Sequence, residues 1–407
     1  MPAKGLRRPP STADPAATHR VSLDEGFSLP AALRTVLPLW GFFTAFRWAV
    51  TVVAVHLLPP SSGAVVSSSP GILGLVDKWD AALFLRIARE GYGLESHPTD
   101  SAFFPGFPFA ERLLAVPLSR IVEPLDAPLF SGFLLTTISS FVAALLIHRI
   151  AWGRFGQRTA TWAVVLLMVW PSAAFLTVPY SEALYLVAAM GAWLLGTENR
   201  WGLAGTLCGV ASFIRINGVF LCLALVVMYF TEVAKHRRPF RPFSFATILL
   251  GLGGTAAYFV FLYGQTGDVL AWSHAQNAGW SRETVTPWTS VSNSWNLMID
   301  PGNGYDHKLQ IAADMVVVVL SIAIAAVMVM RRYWAELTLT VLTFASLLSS
   351  TYYLSVSRST LTVFPLIIVA ASVIAPWRRW AGAVAIVVSG AWMTWIMGAF
   401  PLQYWAG

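Results

Sequence analysis

Apolar stretches long enough to cross a bilayer recur along almost the whole of this 407-residue chain, and they limit its fold more than any other feature. A helical crossing needs about 20 predominantly apolar residues. By that measure the sequence predicts an all-α polytopic membrane protein with about eleven transmembrane helices. They fall at 37–58, 128–149, 159–178, 182–197, 201–214, 216–232, 243–264, 309–330, 335–353, 361–376 and 381–400. With 56% hydrophobic residues, only 12% charged ones and a mean hydropathy of +0.64, a soluble enzyme is excluded. Trp152, Trp201, Trp334, Trp377 and Trp380 stand at segment ends, as interfacial aromatic belts require.

Charge arranges these segments. Residues 1–36 read as a disordered, basic cytoplasmic tail. The first apolar run starts too deep and runs too long for a cleaved signal peptide, so it reads as an anchor. Basic clusters follow at Arg149/Arg154/Arg158, Arg200, Lys235/Arg237/Arg238/Arg241, Arg331/Arg332 and Arg378/Arg379. With a cytoplasmic N-terminus and eleven crossings, every cluster lands inside, as the positive-inside rule asks. Merging 201–214 with 216–232 would put the later clusters outside, so the pair counts as two crossings. The net charge of +7 therefore belongs to topology, and no nucleic-acid partner is expected. Residues 37–407 form one integral membrane domain, with a first outer loop at 59–127 and a second at 265–308. Cys208 and Cys222 lie within apolar segments and offer no disulfide framework. The seven histidines have no ligand spacing, so neither metal nor cofactor is expected.

The outer face collects the polar chemistry. In Asp77–Tyr92, Leu83, Phe84, Ile87 and Ala88 share one side at helical spacing, while Arg86, Arg89 and Glu90 take the other. That pattern predicts a short amphipathic helix suited to a membrane interface, closed by Gly91. Asp77 and Asp80 admit two readings: caps at the helix start, or a catalytic carboxylate at Asp80. Ala102–Pro108 reads as a rigid aromatic turn. Ser181 and Glu182 suit a cap, but a carboxylate near the membrane boundary is costly unless paired or functional. Arg215-Ile216-Asn217-Gly218 sets a cation, an amide and a flexible residue at a tight turn, and Arg358 adds a second cation on the same face. Arginine is the residue suited to gripping phosphate bidentately. The segment from His274 to Arg282, read as loop, mixes Trp280 with hydrogen-bonding groups in the manner of a sugar-binding surface. Arg47, inside the first span, reads as snorkelling to the cytoplasm rather than pairing within the bundle.

Taken in order, Trp79-Asp80, Ile87–Tyr92, Ala102–Pro108, Tyr180-Ser181-Glu182, Arg215–Gly218 and Arg358 through Phe364-Pro365 resemble the motifs of the PIG-V mannosyltransferase family, in a bacterial-type member. The likeness runs from about 37 to 376, with departures at Ala81-Ala82-Leu83, Ala183 and Ile216. The resemblance implies a GT-C glycosyltransferase fold and a donor of the polyprenyl-phosphate-mannose type used on the non-cytoplasmic side. It maps the essential acidic residue of the first outer loop onto Asp80.

The expected reaction is an inverting mannosyl transfer to an extracytoplasmic lipid-linked, glycan or protein acceptor. Asp80 acts as general base, with Arg215, Arg358 and Lys78 on the donor phosphate. Asp77, Trp79, Tyr180, Glu182, Asn217, His274, Trp280 and Arg282 are the candidate substrate contacts. The expected location is a bacterial plasma membrane, with the site facing outward. Two alternatives stay open: another polyprenyl-linked sugar, and a lipid-sugar flippase. The flippase needs ionisable groups near the midplane and access from both faces.

Overall fold

The computed structural model describes residues 26–404, except 62–63, 65–70, 95, 125, 238 and 378. Most of the tail, residues 1–25, lies outside them. The described residues form α1 (Leu29–Leu57), α2 (Asp80–Glu90), α3 (Gly106–Leu118), α4 (Ala127–Phe155), α5 (Gln157–Val169) and α6 (Ser181–Thr197). Next come α7 (Trp201–Ile214), α8 (Asn217–His236), α9 (Pro242–Ile248), α10 (Gly253–Thr266), α11 (Ala271–Trp280) and α12 (Pro287–Ile299). The last are α13 (Tyr305–Met330), α14 (Trp334–Leu348), α15 (Val356–Thr360), α16 (Phe364–Ile374) and α17 (Arg379–Ala399). There is no sheet among the described residues, only one isolated bridge between Thr284 and Ser350.

Each apolar segment of the sequence holds a helix, and among the described residues six helical stretches, one of them running from α9 through α10, are long and apolar enough to cross a membrane. Several boundaries move. Helix α1 begins at Leu29, inside the stretch read as tail. The segment 159–178 is not one helix: α5 stops before Trp170, whose extended backbone leads into Pro171, and a short 3-10 turn at Ala173–Leu176 follows. Proline lacks the amide hydrogen needed to continue a helix and disfavours helical backbone in the residue before it. Residues 201–232 are two helices, and the turn between them rests on Gly218. A Cβ there would sit 2.3 Å from the Ser212 backbone. Close packing, rather than the flexibility read from the sequence, is what selects glycine here. Cys208 and Cys222 both abut Gly251 nearby and are unbridged.

The core lies where α4, α5, α6, α7, α8, α14 and α16 pack on one another. Helix α16 is apolar on all sides, and all but three of its residues are buried. That is the mark of a central helix. Arg47 does not snorkel. It is fully buried, donating to Thr177 Oγ1 at 2.5 Å, to the Met168 carbonyl at 2.9 Å and to Thr44 Oγ1 at 3.2 Å. The break after α5 explains this, because it leaves carbonyls of the last turn without intrahelical donors. Arg47 supplies one.

The outer segments pack on protein. Helix α2 buries Ala81, Phe84, Leu85, Ile87 and Ala88, while Leu83 is only half-buried. Its apolar face meets α3 and α4, so it is a cover over the bundle and not a helix floating in an interface. Arg86 on its polar side pairs with buried Asp100. The second large loop is not irregular, since α11 and α12 occupy most of it.

Candidate active site

One end of the bundle gathers the ends of several helices around a cavity of about 560 Å³. Asp80 enters as the first residue of α2, set there by Trp79, whose φ of 55° is unusual for a residue with a side chain. The N-cap position falls to Trp79 and not to Asp77, two residues earlier. The Asp80 amide donates to the Tyr180 hydroxyl at 3.1 Å, and its carboxylate accepts from Arg358 Nη1 at 2.6 Å. Glu182, in the first turn of α6, is likewise no cap. It is fully buried and accepts from Arg358 Nε at 2.6 Å and Arg215 Nη1 at 2.9 Å. Arg215 Nη1 also donates to Ser181 Oγ at 2.7 Å. Burying a carboxylate this deeply is costly unless it is paired, and the two guanidiniums supply the pairing.

Arg358 is the hub. Its guanidinium lies 4.6 Å from the Tyr180 ring and 5.0 Å from that of Phe175, besides meeting both carboxylates. Burial by itself would lower its pKa, but Glu182, Asp80 and Tyr180 together hold it above the ordinary arginine value. Arg282 stands in the opposite situation. Desolvation, with Arg358 and Arg215 nearby, brings its pKa down to about 10 against the pull of Asp80. It donates to the Leu354 carbonyl at 2.9 Å. Arg215 Nε and Arg282 Nε are buried donors without an acceptor among the described residues. Both arginines also border the cavity, so the positive charge of the site faces an open volume.

Aromatic residues form much of the rest of the wall. Trp79, Phe84, Phe103, Phe104, Trp272 and Trp280 all line the cavity. The turn at Ala102–Pro105 leads directly into α3, and three anchors hold the backbone of 101–103. Tyr92 donates to the Phe103 carbonyl, Tyr258 to that of Ser101 and Gln276 to that of Ala102. No cluster of three or more potential metal-ligating side chains occurs among the described residues.

Of the residues singled out from sequence, Trp79, Asp80, Asn217, Arg215, Trp280, Arg282 and Arg358 line the cavity, and Tyr180 and Glu182 support it from behind. Asp77, Lys78 and His274 do not line it. The positive-φ turn at Trp79 separates the first two from the cavity-facing pair that follows. His274 misses because its segment is helical: Trp272, Gln276, Gly279 and Trp280 of α11 share the cavity stripe, at helical spacing. His274 is off that stripe and pairs with Asp268 at 2.7 Å on the exposed side. The same spacing reveals Trp272 and Gln276 as missed wall residues. Tyr352, Ser355 and Ser359 were also missed, and no periodic pattern marks them.

A helical membrane protein with a paired carboxylate–arginine cluster on a cavity at one end of its bundle is the class this geometry defines. More particularly, the chain belongs to the mannosyltransferase (PIG-V) family, whose profile matches residues 45–405. It is 34% identical to the GPI alpha-1,6-mannosyltransferase 2 of Cricetulus griseus, over 39% of this chain and 32% of that protein. It is 31% identical to the Homo sapiens protein of the same name over the same shares. Identity to the GPI mannosyltransferase 2 of Cryptococcus neoformans is 26%, over 59% of this chain and 56% of the relative. The aligned stretches thus cover well under two thirds of these relatives. Among solved structures, the archaeal oligosaccharyltransferase AglB from Archaeoglobus fulgidus, in complex with an inhibitory peptide and a dolichol-phosphate, aligns with a TM-score of 0.43 and 13% identity, covering 90% of this chain and 56% of its own.

Proposed function

We propose that this protein is a GT-C mannosyltransferase that moves mannose from a polyprenyl-phosphate donor to a hydroxyl of an extracytoplasmic acceptor, with inversion. The observation that carries the reading is the joining of Asp80 and Glu182 through Arg358 on a cavity that also holds Arg215 and Arg282. Family membership supplies the sugar; the geometry supports the roles.

In this reading the acceptor hydroxyl gives its proton to the Asp80 carboxylate as its oxygen bonds to the anomeric carbon. The bond from that carbon to the phosphate oxygen breaks, and its electron pair leaves with the polyprenyl phosphate. Phosphate is a stable anion, so the step needs donors for developing charge more than a strong general acid. Arg215 and Arg282, both on the cavity wall, suit that task, with Arg358 dividing its charge between Asp80 and the leaving group. Lys78 drops out of the phosphate set because it is off the cavity wall. Phe103, Phe104 and Trp272 give the prenyl chain an apolar entry, and Trp280 with Gln276 suits a sugar face. The active face is outward in this reading, because the basic clusters lie toward the opposite helix ends.

Transfer of radiolabelled mannose from polyprenyl-phosphate mannose into membrane extracts, with wild type and Asp80→Asn compared, tests it. Label with wild type only is the expected result. Equal label with a folded Asp80→Asn overturns the base assignment. Absence of transfer by intact wild type overturns the donor assignment, directing the search to another sugar and then to the flippase.

A further inference from the structure

Helix α15 is only five residues long, yet it carries Arg358 and presents Ser355, Arg358 and Ser359 to the cavity. Its own start is weak. Ser355 sits at φ 57° and makes no side-chain cap. Strained left-handed backbone persists only where its surroundings hold it, and the first amides of any helix need acceptors from elsewhere.

Those acceptors come from another helix. Asp314 of α13 is fully buried, and its two carboxylate oxygens take the first two amides of α15: Val356 N–H at 3.2 Å and Ser357 N–H at 2.8 Å. Gln310, one turn earlier on α13, donates to Asp314 Oδ1 at 3.3 Å and to Ser357 Oγ at 3.0 Å. The far end of α15 is held by Trp170 Nε1, which donates to Thr360 Oγ1 at 2.9 Å. No lysine, arginine or histidine pairs with Asp314 among the described residues. A buried carboxylate hydrogen-bonded to two amides, to Gln310 and to the Ser357 side chain is costly as plain packing. Here it performs in trans the cap that Ser355 does not provide, leaving Ser355 on the cavity wall.

We infer that Asp314 is a positioning residue: it clamps the start of α15 and so aims Arg358 at Asp80, Glu182 and the donor phosphate. This rests on the donor reading above and adds a residue that never touches substrate. The carboxylate is suited to the role because it accepts two divergent amides at once. Asparagine keeps one acceptor and turns an NH₂ toward the second amide, so Asp314→Asn unlocks one side of the clamp at nearly constant volume.

The test is a double-mutant cycle on the full-length protein in nanodiscs, reading the dissociation constant of polyprenyl phosphate alongside amide hydrogen exchange of 355–360. Asp314→Asn is expected to speed exchange in that segment and to weaken binding on the order of ten-fold, a displacement effect rather than loss of a contact. In an Arg358→Ala background it is expected to weaken binding no further. An equal loss in both backgrounds, or unchanged exchange in 355–360, overturns the positioning role. If Asp314→Asn does not fold, Gln310→Leu, which keeps both amides capped but removes a brace, carries the same comparison with a smaller effect. Wild type that binds no polyprenyl phosphate overturns the donor reading instead, and the exchange measurement then judges the clamp by itself.

Discussion

Two buried arginines in this protein, Arg47 and Arg358, differ in what neutralises them. Arg47, on α1 against the broken end of α5, donates to uncharged acceptors: two threonine hydroxyls and a carbonyl. Arg358 meets two carboxylates and an aromatic face, and it borders a cavity. The first arrangement mends a helix end inside a packed bundle. The second concentrates opposite charges where a ligand can enter and rearrange them. Burial alone therefore does not mark a functional arginine; charged partners at the edge of an open volume do.

The comparison can be broken at either arginine. Arg358→Ala should produce the largest effect, lowering transfer by about 10²- to 10³-fold, as expected for loss of a charge-stabilising donor. Single-turnover measurements on protein of unchanged thermal stability would check it. If the loss of activity merely follows unfolding, the two arginines do the same job. Arg47→Met should act the other way. It leaves buried acceptors without a donor, at about 1–3 kcal/mol each, so the melting temperature falls while the polyprenyl-phosphate dissociation constant of the folded fraction stays put. A changed dissociation constant would erase the contrast. The smallest effect belongs to His274→Ala, on the exposed side of α11. Transfer should stay within about two-fold, the range of an ordinary surface change, and a larger loss would move the cavity wall to a face of α11 where the structure does not put it.

How far the site was legible depends on what each residue's signal was. Asp80, Glu182, Arg215 and Arg358 stood out because ionisable groups are expensive beside apolar segments. Trp272 and Gln276 carry a readable signal, but their segment reads as loop from sequence, and without a helical period His274 is as good a candidate. Asp77 and Lys78 lie three and two positions before Asp80, and the backbone turn at Trp79 keeps them off the cavity wall. Asp314 lies inside a segment whose apolar run hid it, and nothing in its neighbours announces a partner 43 residues away at Ser357.

By itself the sequence determined the helical, membrane-bound character of the chain, the apolar segments that hold its longer helices and the short motifs that hold its charged residues. Those properties follow from local hydropathy and from the high cost of unpaired backbone in lipid, which act over a few turns of chain. Only the tertiary structure decided which charges meet. Asp80 and Arg358 are 278 residues apart, and Arg47 and Thr177 are 130 apart. Their pairing depends on how helices pack, where α5 breaks and how closely Gly218 lets a turn approach its neighbour. Such distances arise from the summed packing of the bundle, and no local pattern encodes them.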